Sequence, residues 1–355
     1  MTKPAVCAEY RNYIRKKWLA LLALAVFLLV SCVLSACAGS SGLSPREILL
    51  ALFGLGGDTS RTIVWNVRIP RIATGAAVGA ALALAGCVMQ NVLRNPLASA
   101  STLGVSQGAS FGAAVAIVYL GGGVSLAGSS AGSITVTNPY LVTLCAFLGG
   151  IATTAIILLL SRMAGASPST LILAGVAISS LFTGATTLIQ YFCDDVTVST
   201  IVYWTFGSLG RTNGREIALI ALLCAAAFLY FFANRWNYNA LEGGASTATS
   251  LGVSVPVLVL VSLSVCALIA SVSVAFVGCI NFIGLLAPHI ARRAVGSDHR
   301  FLLPAAPLVG ACLMLWADMV SRTIAAPTVL PIGALTSFLG APLFLYLIVK
   351  RRAAP

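Results

Sequence analysis

VPVLVLVSLSVCALIASVSVAFVGCINFIGLLAPHIARRAV, residues 255–295, is an apolar run of 41 residues, and its division decides the fold. As one helix at 1.5 Å per residue it would be about 60 Å long, roughly twice the hydrocarbon core of a bilayer. It must therefore reverse, and the turn is placed at Phe276 to Gly278. The rest of the chain reads in the same way. Further apolar segments lie at 18–38, 71–92, 100–120, 140–161, 170–192, 215–233, 302–322 and 331–349, so the two halves of the long run (255–275 and 278–295) bring the total to ten. Ten crossings put both termini on one side.

Composition agrees with this class. Of the 355 residues 59% are hydrophobic and 8% charged, and the mean hydropathy is +0.99. Soluble domains hold about 45–50% apolar residues, so this chain has too little polar surface to face water. It reads as one all-α polytopic domain over residues 1–355, with no room for a soluble domain. Residues 1–17 form a cytoplasmic tail and 234–254 a cytoplasmic loop.

Charge tests the orientation. With the termini in the cytoplasm, fourteen of the 21 basic residues fall inside and seven outside, as the positive-inside rule requires. Basic residues at the ends of apolar segments are orientation signals, so the net charge of +12 does not point to nucleic acid. The outside group includes Arg68, Arg71 and Arg322, where orientation calls for no cation. One reading is snorkelling to lipid phosphates; the other is a partner.

The basic N-terminus, its apolar run and Leu34-Ser35-Ala36-Cys37 resemble a secretion signal with a lipoprotein box. An uncleaved first helix is the expectation, because the rest of the chain is itself membrane-embedded. Ten cysteines form no CxxC pair, and Cys145, Cys224, Cys266 and Cys312 lie within apolar runs as small hydrophobes; no metal site is expected. Gly75 and Gly79, and Gly104, Gly108 and Gly112, have the GxxxG spacing that lets helices approach closely in lipid.

Energy must come from elsewhere. The only lysines are Lys3, Lys16, Lys17 and Lys350, so no glycine-rich loop carries the lysine of a nucleotide-binding P-loop. Ion-coupled carriers keep acidic or histidine groups at mid-membrane. Here the candidates are His289, at a helix end before Arg292 and Arg293, and Asp318, one helical turn before Arg322 and read as its ion-pair partner.

RIPRIATGAAVGAALALAGCVMQNVLRNPLASASTLGVSQGASFGAA (68–114), AFVGCINFIGLLAPHIARRAVGSDHRFLLPAAPLVGACLMLWADMVSRTI (275–324) and PIGALTSFLGAPLFLYLIVKRR (331–352) carry a resemblance. Long and collinear, they resemble the FecCD-type permeases of ABC importers for iron-siderophores, haem and cobalamin. The resemblance implies a ten-helix subunit in the cytoplasmic membrane, paired with a second permease copy. It also implies two ATPase subunits inside, which hold the ATP and Mg²⁺, and a substrate-binding protein outside. This chain would be no enzyme and bind no cofactor.

By the same resemblance Arg68, Arg71 and Arg322 meet acidic residues of the binding protein. In NALEGGASTATSLGVSVP (239–256), Leu241, Glu242, Ala248, Leu251 and Gly252 are assigned to ATPase docking. The family's usual charges are missing there, with Ala245, Ser246 and Thr249 in their place. In GASPST (165–170), Ser167, Ser169 and Thr170 match a cytoplasmic constriction, and Ser179, Ser180 and Thr183 follow along the expected path. The resemblance implies transport of a ferric siderophore by alternating access, with haem or cobalamin as the alternative cargo. An ion-coupled secondary transporter, and a receptor or scaffold without flux, remain as other classes.

Overall fold

The computed structural model describes residues 3–39, 44–122, 124–126, 134–136, 138–163 and 168–352. α1 (Lys3–Cys37) is one helix of 35 residues, about 52 Å long. Residues 3–17, expected as a tail, are thus the first turns of that helix, beyond a bilayer core about 30 Å thick. At the outer surface α2 (Pro45–Leu52) opens on a capping box between Ser44 and Glu47, with proline in its first turn. α3 (Asp58–Ile63) then passes through one π-helical turn, Val64–Arg68, directly into α4 (Ile69–Val92).

α5 (Val105–Tyr119) leads to a small ribbon, β1 (Val124–Leu126) antiparallel to β2 (Ile134–Val136) with Val124 opposite Val136. α6 (Pro139–Met163) and α7 (Pro168–Tyr191) form a long hairpin, followed by the short α8 (Asp195–Phe206), which Asp194 caps. α9 (Gly214–Ala233) returns to the cytoplasmic side, where α10 (Arg235–Glu242) and α11 (Ala245–Ser250) lie. α12 (Val255–Val277), α13 (Ile283–Val295), α14 (His299–Thr323) and α15 (Ile332–Arg352) complete the chain.

Each of the ten apolar segments contains a helix, and among the described residues seven helices are long and apolar enough to cross a membrane. The long run does reverse where its length requires: α12 ends at Val277 and Gly278 has φ 91°. Its second half differs from a simple span. Residues 278–282 are not helical, and α13 has only 13 residues, about 20 Å. The third segment is shortened similarly. Residues 93–104 form turns, and α5 begins only after Gly104, whose φ of 79° excludes it from the helix.

Irregular backbone is tolerated in a membrane protein where other protein satisfies it. Here Ser208 N–H donates to the Val277 carbonyl at 2.8 Å. The core is built on α4, buried along most of its length, with α12, α13 and α14 packed against it. Backbone meets backbone at the closest points: a methyl on Gly86 of α4 would overlap the carbonyl of Gly284 in α13, and one on Gly79 would overlap that of Gly310 in α14. Gly75 faces Leu209 and Leu315, while Gly108 and Gly112 face Gly149 and Cys145 of α6. Gly104, just outside α5, lies against Thr153 of α6, which Gly108 also meets, and against Ser179 of α7.

Candidate functional site

The outer arginines lie where three helices meet. Pro70 sits in the first turn of α4, between Arg68 and Arg71, where its missing N–H costs no helical bond. Asp318 of α14 is fully buried. Its Oδ1 accepts from Arg71 Nε at 2.8 Å, and its Oδ2 lies 2.9 Å from Arg322 Nε as an ion pair one helical turn along. The intrahelical pair read from the spacing is present, but Asp318 serves a second arginine from a distant helix.

Arg322 also donates to the carbonyls of Ala38 at 2.8 Å and Ser35 at 3.2 Å, and to Ser35 Oγ at 2.9 Å. Arg68, buried at 5% exposure, donates to the carbonyl of Ala36 and, at 3.5 Å, to that of Cys37. The last carbonyls of α1 lack intrahelical partners, and these guanidiniums supply them. The three arginines expected to await an acidic partner are therefore already engaged inside the permease.

The cytoplasmic segment 234–254 is a helical hairpin, α10 and α11, turning at Gly244 with φ 115°. Of its predicted docking residues, Leu241 and Ala248 are buried and hold the hairpin to the bundle, whereas Leu251 is 68% exposed. Glu242 and Gly252 are exposed beside it. The attachment is polar and specific. Asn239 Nδ2 donates to Asp298 Oδ1 at 2.9 Å, and Asn239 Oδ1 lies 2.9 Å from both the backbone N and Nδ1 of His299, at the start of α14.

Asn91 at the end of α4 donates to the Tyr238 carbonyl at 3.2 Å, and the Tyr238 hydroxyl meets Ser262 of α12 at 2.8 Å. Burial alone would raise the Asp298 carboxyl. The Asn239 amide, the Arg300 N–H, Lys17 and His299 outweigh it and hold the group below the usual carboxylate range. Nothing in the residue pattern of the loop pointed to Asn239; its partners are about sixty positions away. His289, a sequence candidate for proton relay expected at a helix end, lies at the middle of α13 with its Nε2 3.0 Å from the Pro96 carbonyl, a contact that ties α13 to the turn after α4.

Along α7, Ser180, Thr183 and Thr187 are exposed on one side at helical spacing, with Val176 and Leu181 beside them. Their hydroxyls donate to the carbonyls of Val176, Ser179 and Thr183. A hydroxyl bonded to its own helix can lie in an apolar environment and still accept from a passing molecule. Ser179 turns the other way, toward Gly104. Thr170 is exposed near the start of α7; Ser169 is in its first turn, and Ser167 lies outside the described residues.

Comparison with known proteins fits this architecture. A sequence profile of the FecCD transport family matches residues 27–350. The chain is 48% identical over 342 residues to an ABC transporter permease protein of Methanocaldococcus jannaschii, covering 96% of this chain and 97% of that one. It is 37% identical over 295 residues to the hemin transport system permease of Yersinia pestis, covering 81% and 84%. Identity to the vitamin B12 import system permease of Escherichia coli is 37% over 336 residues, covering 95% and 96%.

Among solved structures, a metal-chelate type ABC transporter in an inward-facing conformation matches with a TM-score of 0.79 and 32% identity, over 93% of this chain and 98% of that one. The chain belongs to the FecCD transport family: it is a multi-pass permease of the cytoplasmic membrane and the transmembrane part of an ABC importer.

Proposed function

We propose that two copies of this chain enclose one path and import a ferric siderophore by alternating access. A binding protein delivers the chelate from outside, and two ATPase subunits, which hold the ATP and Mg²⁺, drive the cycle from the cytoplasm. The observation that carries this reading is the exposed hydroxyl stripe of α7, Ser180, Thr183 and Thr187, on a spanning helix that is only 17% buried within one chain. Lipid alone gives no reason for such a stripe, whereas a path shared with a second copy does. Hydroxyls among aliphatic side chains suit a bulky chelate with hydrogen-bonding groups at its surface. A naked cation would instead need carboxylate, imidazole or thiolate ligands, and no group of three such residues exists among the described ones.

In this reading Arg68, Arg71 and Arg322 form the face toward acidic groups of the binding protein. Glu242, Leu251 and Gly252 are the surface presented to the ATPase, supported from beneath by Leu241 and Ala248. Ser167, Ser169 and Thr170 border the cytoplasmic constriction. Haem or cobalamin is the second reading of the cargo, favoured by the names of the Yersinia and Escherichia relatives.

The test is ATP hydrolysis by the permease reconstituted with its ATPase and binding protein, measured with ferric siderophores, haem and cobalamin in turn. A ferric siderophore should stimulate hydrolysis above its basal rate. Stimulation by haem or cobalamin alone would replace the cargo and leave the importer in place.

A further inference from the structure

We propose that Asp318 is a positioning residue which holds the outer arginines in register and, through Arg322, latches the outer end of α1 onto α14. Two cations, Arg71 and Arg322, pair with one anion that has no exposed surface, and Arg68 lies close to Arg322 at the end of α1. Each carboxylate oxygen takes a different arginine, Oδ1 from α4 and Oδ2 from α14, so the two guanidiniums are fixed side by side. Arg322 turns its remaining nitrogens to Ser35 and Ala38, and Arg68 adds Ala36 and Cys37.

Those carbonyls stand at the negative end of the α1 dipole, where a cation is favoured. A carbonyl orients a guanidinium but cannot neutralise it; among the described residues Asp318 is the anion paired with Arg71 and Arg322. Without the carboxylate charge, Arg71 and Arg322 would repel each other in a poorly solvated site. The relief open to them is outward rotation of Arg322 into water, which frees the α1 carbonyls. An acidic group arriving from outside would compete with Asp318 for the same guanidiniums, so docking would be felt at α1. That last step rests on the docking reading given above; the latch does not.

Cys37, partly exposed at the end of α1 and joined to Arg68 through its carbonyl, is a natural reporter. The experiment is alkylation of the full-length permease in nanodiscs with a membrane-impermeant maleimide. Peptide mass spectrometry would compare Cys37 with Cys32 of the same helix. Asp318→Asn should raise the Cys37 rate about tenfold, as a local opening would, with Cys32 unchanged. Asp318→Glu should restore the slow rate.

Should Asp318→Asn fail to fold, Arg322→Gln keeps the anion paired with Arg71 and removes the clamp, and it must accelerate Cys37 by itself. Unchanged Cys37 labelling in either folded variant, or equal acceleration at Cys32, would overturn the latch. Faster Cys37 labelling in Arg322→Gln, which removes one of the docking arginines, with undiminished capture of the binding protein would retire the docking reading and uphold the latch.

Discussion

Gly86→Ala should remove most of the folded permease from detergent extracts, while the same exchange at Gly184 should leave it intact. A methyl at position 86 would overlap the Gly284 carbonyl oxygen and come within 2.5 Å of its carbon and 2.8 Å of its Cα. Those atoms are backbone, so no rotamer change relieves the contact. α13 would have to move, yet its first turn is held on the other side by the non-helical segment before it, where Phe282 adopts φ 64°.

Overpacking of this kind costs about 1–3 kcal/mol where side chains can adjust, and more where they cannot. A helix pair in lipid has no hydrophobic effect to hold it together at a wider spacing. A methyl on Gly184 of α7 would have no neighbour within 4 Å, so that position is the control. Fluorescence-detected size-exclusion chromatography of both variants makes the comparison; equal recovery would show that α4 and α13 do not depend on this approach.

Asn239→Ala is expected to separate ATP hydrolysis from transport. The side chain joins the α10–α11 hairpin, proposed above as the surface presented to the ATPase, to α14 by one donated bond to Asp298 and two contacts with His299, each at 2.9 Å. Removing it leaves the first N–H of α14 without its acceptor, at about 1–3 kcal/mol, while Asp298 keeps the Arg300 N–H. The bundle has a large enough core to stay folded.

The hairpin, however, would no longer move rigidly with α14, the helix that reaches the outer arginine cluster at its other end. Uptake per ATP hydrolysed should fall about tenfold or more, in line with the loss of roughly 1.4 kcal/mol or more of coupling. Hydrolysis itself should persist. An unchanged ratio of uptake to hydrolysis would mean that force passes from the hairpin by another route.

How far these features could be read from the residues depended on how local their cause is. The reversal at Gly278 followed from length alone, because no bilayer accommodates a helix of about 60 Å. The ten apolar segments followed from the cost of exposing backbone and charge to lipid. The Asp318–Arg322 pair was legible because both residues lie one turn apart on a single helix.

The second arginine on Asp318 was not legible, since Arg71 is 247 positions away. Gly86 was missed for a related reason. It has no glycine four residues away in α4, and its partner is the backbone of another helix rather than a side chain with a pattern. Leu241 and Ala248 were assigned to ATPase docking by family resemblance, and a resemblance does not tell which side of a hairpin is buried; the α10–α11 hairpin turns both into the bundle. Short helices such as α2 and α8 are set by capping residues and not by hydrophobic length, so counting spans passed over them.

The central claim is that this chain is the passive path of an ATP-driven importer. Its most direct test is uptake of a ferric siderophore into proteoliposomes that contain the permease, with the ATPase and binding protein either present or omitted. The prediction is uptake that requires ATP and the ATPase subunit and is unaffected by a protonophore. Uptake by the permease alone that ceases when the proton gradient is collapsed would contradict it.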